Sequence, residues 1–116
     1  MKKLSDFRDG KGIEVAANIL AVIMDILSDQ KNMAMRHEQN PVKMFTAFMS
    51  NSPDKMREIF AILSEVDVSE YHCDGAEALT NMLILANDPV LVSLFMSQSQ
   101  MRDATSSGSA SESIAE

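Results

Sequence analysis

Between Lys11 and about Ser28 the chain carries apolar residues at almost every position that a helix could turn inward. Ile13, Ala17, Leu20, Met24 and Leu27 recur at steps of three and four, which aligns them along one side of an α-helix. Val15, Ile19, Val22 and Ile26 form a second stripe beside it, leaving Lys11, Glu14, Asn18, Ala21, Asp25 and Ser28 as a narrow polar or small edge. A helix that is apolar over more than half its circumference needs neighbours on several sides. It predicts the central helix of a bundle, or one that also meets another chain. Glu14, Asn18 and Asp25 interrupt the stretch, and it begins well after Lys2 and Lys3. It therefore fits neither a signal peptide nor a membrane span, which needs about 20 nearly uncharged residues.

The rest of the chain is read against that helix. Asp29 to Asn40 is polar and mixed, which predicts a loop with one helical turn at most. Asn40-Pro41 and Ser52-Pro53 are helix starts, because a short polar side chain can cap free backbone N–H groups and proline is tolerated in the first turn. The first opens a helix with Val42, Phe45 and Met49 on one stripe and Met44 and Phe48 on another. The second opens an amphipathic helix with Met56, Ile59, Phe60, Leu63 and Val66 inward. Asp67 to Gly75 is a connection, and Ala76 to Asn87 resumes the helical pattern through Leu79, Met82, Leu83 and Ala86. Pro89 disfavours helix at Asp88, so a separate last helix holds Val90, Leu91, Leu94 and Phe95. Ser97 to Glu116 has only Met101 and Ile114 as large apolar residues and predicts a flexible Ser-rich tail.

Composition agrees with an all-α reading. Aromatic residues make up 5% of the 116 positions, tryptophan is absent, and ten residues are methionine. Unbranched side chains lose little freedom in helices, whereas strands favour β-branched and aromatic ones. The length suits one domain. The expectation is a small bundle of about four to six helices over residues 4–96, followed by a disordered tail over 97–116. A net charge of −7 without a Lys/Arg cluster argues against nucleic acid as a ligand.

Few residues suggest chemistry. His37-Glu38 begins a zinc-protease pattern whose second histidine would stand at position 41, which is proline. His72 and Cys73 are adjacent, but side chains of neighbouring residues diverge and no third group orients them. Cys73 is the only cysteine, so no disulfide framework or all-cysteine metal site is available. Gly10-Lys11-Gly12 precedes a helix but lacks the remaining glycine of a phosphate-binding turn, and no strand leads into it. The pairs Glu65/Asp67 and Asp25/Asp29 suit a solvated face better than an acid–base dyad. Neither an enzyme, a metal nor a cofactor is expected. Methionine stands out instead: Met33, Met35, Met44, Met49 and Met56 fall near Phe45, Phe48 and Phe60. Such residues serve equally as core filler or as an adaptable surface for an apolar partner helix.

Several stretches together resemble the small tail assembly chaperones of long-tailed bacteriophages, particularly those of phages of Gram-positive hosts. They are Lys3-Leu4-Ser5-Asp6-Phe7 with Gly10 and the helix Ile13 to Leu27; Met56 to Leu63 leading to Val68-Ser69-Glu70-Tyr71; and Leu85-Ala86-Asn87-Asp88-Pro89-Val90 with Leu94-Phe95-Met96-Ser97-Gln98. The likeness spans nearly all of residues 3 to 100. Val68 stands where a proline-containing turn is common in the family, methionine is unusually frequent, and lysine is scarcer before the middle helix.

The resemblance implies a helical protein of the infected host's cytoplasm, absent from the mature virion. It would bind the tape measure protein, keep it soluble and give way as tail tube subunits polymerise around it. Many such phages also make a longer, frameshifted form with an added C-terminal domain, and residues 97–116 would suit either the end of the short product or the linker of the long one. The alternative is a structural phage protein such as a head–tail connector component. Joined to the apolar patterning, the resemblance places the partner surface at Met44, Phe45, Phe48, Met49 and Met56. It places homo-oligomer contacts at Val15, Ile19, Val22 and Ile26, taken as exposed.

Overall fold

Prolines and short polar caps set where the helices begin. In a computed structural model that describes residues 1–108, with side chains through Gln98, the α-helices are α1 (Asp9–Ser28), α2 (Pro41–Asn51), α3 (Pro53–Leu63), α4 (Gly75–Ala86) and α5 (Pro89–Gly108). Short 3-10 turns at Leu4–Asp6, Gln30–Met35 and Val68–Glu70 join them, and no strand occurs among the described residues. The all-α bundle is as expected. The last helix runs past the anticipated boundary at Met96 to Gly108, and residues 109–116 of the expected tail lie outside the described residues.

The start signals act largely as their chemistry dictates. Asn40 Oδ1 accepts from the backbone N–H groups of Val42 and Lys43, with Pro41 in the first turn of α2. Asp74 and Glu77 cap each other's backbone at the start of α4, at 2.8 and 3.0 Å. Asp88 is buried, and its Oδ1 accepts from Val90 and Leu91 at the start of α5. The Asn87-Asp88-Pro89 break bends α4 against α5 by 80°. Among the described residues no single helix is long and apolar enough to cross a membrane.

Ser52 departs from expectation. Its side chain makes no cap at α3; its Oγ accepts instead from Asn32 Nδ2 at 3.0 Å. Asn32 is buried in the turn after α1, where Nδ2 also donates to the Ile26 carbonyl at 2.8 Å and Oδ1 accepts from Asn51 Nδ2 at 3.2 Å. A segment that reads as polar loop is thus held as a 3-10 turn by a buried amide, with the Asp29 cap on Lys31 N–H and the Asn51 bond to Lys31 O beside it.

Helix α3 runs antiparallel to α1. Lys55 near its start pairs with Asp25 at 3.2 Å, and Glu65 just past its end feels the charge of Lys11. α3 ends in a Schellman turn: Val66 N–H bonds to Ala61 O and Glu65 N–H to Ile62 O, with Glu65 itself at φ 60°. The core gathers Val15, Ile19, Val22, Ile23, Ile26 and Leu27 of α1 against Met56, Ile59, Phe60 and Leu63 of α3, closed by α2, α4 and α5. The N-terminal segment is tied across this core by Leu4 N–H to Asp88 Oδ2 at 3.2 Å and Lys2 N–H to Leu63 O at 2.9 Å.

Candidate protein-interaction surface

The residues expected to meet partners lie mostly inside. Met44, Phe45, Phe48 and Met56 are buried, and Met49 alone of that set is half-buried. Phe45 and Phe48 join Phe95 of α5 in an aromatic cluster, edge-to-face at 5.1 Å for Phe45–Phe95 and stacked at 5.4 Å for Phe48–Phe95. A side chain committed to such a cluster cannot also present itself to another protein without unfolding α2 from α5. The partner surface anticipated at these four positions is therefore corrected to core.

The same correction applies to Val15, Ile19, Val22 and Ile26, all of them buried. Helical spacing groups residues into stripes but does not say which of two neighbouring apolar stripes turns inward. Here the stripe of Val15 packs on α3 and α5, while Ile13 is 74% exposed and Met24 42% exposed, with Ala17 and Ala21 open between them.

Among the described residues, accessible apolar surface gathers around α4. An apolar groove of about 220 Å³ is lined by Met49, Pro53, Met56, Phe60, Cys73 and Ala78, with Asp54 and Arg57 at its edge. Arg57 is fixed there, since its Nη1 donates to the carbonyls of Val68 and Tyr71 at 2.9 and 2.7 Å. Beside the groove runs the outer face of α4, formed by Ala76, Leu79, Thr80, Leu83 and Asn87, all exposed and none charged. Leu79 and Leu83, one turn apart, are 54% and 45% exposed. On its far side Lys3, Thr80, Leu83, Ile84 and Asn87 bound a second shallow depression of about 290 Å³. Glu77, the one charge on α4, is engaged in the cap.

The sequence reading assigned Leu79 and Leu83, with Met82 and Ala86, to the inner face. Of that pattern Met82 is buried, with Leu85 beside it, whereas Leu79 and Leu83 face outward. The signal for an outer apolar face was the near absence of charge from α4, since a helix apolar all round has two faces to cover.

A cavity of about 360 Å³ lies between Met1, Ser64, Tyr71, His72, Ala76, Glu77, Thr80 and Asn81. The Tyr71 hydroxyl accepts from Asn81 Nδ2 at 2.9 Å. Burial, then the nearby Cys73, holds its pKa above the ordinary tyrosine value. His72 lines this cavity while Cys73 lines the groove, so the two side chains diverge. Among the described residues no three His, Cys, Asp or Glu side chains are grouped to hold a metal ion. Comparison with models of known protein families, with curated proteins and with solved structures found no match to this chain.

Proposed function

We propose that the chain is a tail assembly chaperone of a long-tailed bacteriophage. In this reading it holds the tape measure protein in soluble form in the host cytoplasm until tail tube subunits polymerise around it, and does not enter the virion. The observation that carries the reading is the outer face of α4: exposed, uncharged, centred on Leu79 and Leu83, and bordered by apolar depressions on both sides. An amphipathic helix of a partner can lay its apolar stripe along such a face, with the half-buried Met49 in the groove accommodating varied side chains. The sequence resemblance supplies the identity of that partner.

The test is co-expression with the tape measure protein of the same phage. The expected result is a soluble complex with the native chain, lost with the Leu79→Asp/Leu83→Asp variant although that variant remains folded by circular dichroism. A tape measure protein that stays insoluble with the native chain and with any longer frameshifted form overturns the proposal. Stoichiometric recovery of the chain from purified virions would favour a connector component instead.

A further inference from the structure

We infer that the partner helix seated on the outer face of α4 is a cationic one, with a lysine or arginine near the Gly75 end of the face and one large apolar side chain in the groove beside it. Taking the occupant to be a helix rests on the chaperone proposal; its charge follows from the carboxylates that border the face. The face itself is uncharged, so its margins decide which polar residues a visitor can carry. Asp54 stands at the rim of the groove, Asp74 caps α4, and Glu77 lies on the opposite flank. Glu70 and Asp67 stand in the connection that leads into α4, and all of these carboxylates are exposed. Among the described residues none of them is in an ion pair.

Cations on that side are fewer. Arg57 holds the carbonyls of Val68 and Tyr71 through Nη1, and Met1 brings its ammonium to the cavity beside Glu77. Lys2 is held by Glu65, and Lys55 by Asp25 and Glu58. The N-terminal dipole of α4 adds about half a positive charge, and the balance stays negative. At the Asn87 end Lys3 and Asp6 offset each other, and Asp88 is buried with its oxygens on backbone N–H groups. The acid excess therefore sits at the Gly75 end. The cavity there also supplies acceptors for a lysine or arginine. Glu77 Oε1 is engaged by Asp74 N–H and Asn81 Nδ2 by the Tyr71 hydroxyl, which leaves Glu77 Oε2 and Asn81 Oδ1, with the hydroxyls of Ser64 and Thr80 on the same wall. A basic side chain placed among them gains charge-assisted hydrogen bonds. An acidic helix would meet like charge on both flanks, in the field of a chain of net charge −7.

The probes are three synthetic peptides of about 18 residues, enough to span the 12 residues of α4 with a turn or so to spare. They share one leucine and alanine stripe and carry lysine, glutamine or glutamate at the polar positions of one end. By fluorescence anisotropy the lysine peptide is expected to bind the native chain at least about tenfold more tightly than the glutamate peptide, with glutamine between. The spread should shrink as salt rises from about 50 to 500 mM. Asp54→Asn/Asp74→Asn/Glu77→Gln removes charge and keeps the caps, because asparagine caps as aspartate does and glutamine serves at the third helical position as glutamate does. This variant should bind the glutamine peptide as the native chain does and lose most of the preference for lysine. Leu79→Asp/Leu83→Asp should bind none of the three. Peptides that bind alike whatever their charge, a lysine preference that survives the triple variant undiminished, or no binding of any peptide would overturn the cationic helix, even if the tape measure protein is still recovered soluble. Peptides ranked as expected beside an insoluble tape measure protein would support it and remove the chaperone proposal instead.

Discussion

Replacing Asn32 by alanine removes the buried amide that, beside the Asn51 bond to Lys31 O, fastens the turn after α1 to the α2–α3 junction. Three side-chain hydrogen bonds are lost: to Ile26 O at 2.8 Å, to Ser52 Oγ at 3.0 Å and from Asn51 Nδ2 at 3.2 Å. At about 1 kcal/mol net each they sum to about 3 kcal/mol. Two of the abandoned groups keep another partner, since Ile26 O still accepts from Asp29 N–H and Asn51 Nδ2 still donates to Lys31 O. That offset is countered by the small void left at a buried position, so the expected loss is about 2–3 kcal/mol. In a thermal melt this corresponds to a midpoint lowered by about 10–20 °C for a domain of this size. Asn32→Asp, with the same shape, should cost at least as much, because an oxygen then faces the Ile26 carbonyl. Urea titration of the three proteins measures the differences. An Asn32→Ala protein within about 0.5 kcal/mol of the native chain, or an undiminished Asn32→Asp protein, would refute the assignment of this amide as the fastener.

Asp88→Ala removes both the α5 cap and the tie to Leu4 and should cost about 2 kcal/mol in urea titration, with amide exchange accelerating around Leu4. Gly12→Ala should destabilise by about 1–3 kcal/mol despite alanine's better helix propensity, since the added Cβ would sit 2.8 Å from the Phe7 carbonyl oxygen. In a Lys2→Met background, where the ion pair to Glu65 is already absent, Glu65→Gly should raise the melting midpoint by relieving a left-handed backbone that costs a non-glycine residue about 1 kcal/mol. The Lys2 ammonium hydrogen-bonds Glu65 at 2.7 Å and holds its pKa below the ordinary value. The stabilisation from this pair is present above the unfolded glutamate pKa and fades as pH falls through the lower folded one. Acid titration of Lys2→Met should accordingly show a shallower loss of stability below about pH 4.5.

Helix starts were the most legible part of the chain. Asn40-Pro41, Ser52-Pro53 and Asp88-Pro89 each precede a helix, because proline fixes a backbone angle and removes a donor whatever the tertiary context. Orientation was less legible. In α1 the stripe of Val15 and the stripe of Ile13 are equally apolar by spacing, and only contact with α3 and α5 decides that the first is core. The same ambiguity moved Leu79 and Leu83 outward and Met44, Phe45, Phe48 and Met56 inward, exchanging the expected site for core and part of the expected core for surface. Asn32 escaped notice because a polar residue in a polar segment gives no sign that its amide is buried. Its partners lie about twenty residues away, at Asn51 and Ser52.

The pairing of α1 with α3 also has a consequence for birth on the ribosome. The inward stripe of α1, from Val15 to Ile26, has no lasting cover until α3 has been made. At about 5–20 residues per second, synthesis from Ser28 to Leu63 takes on the order of two to seven seconds, and clearing the exit tunnel adds more. Closure by α5 comes later still. During that interval the nascent chain displays a finished amphipathic helix with nothing of its own to lay it against, so for its first seconds that apolar stripe is open to whatever lies beside the ribosome.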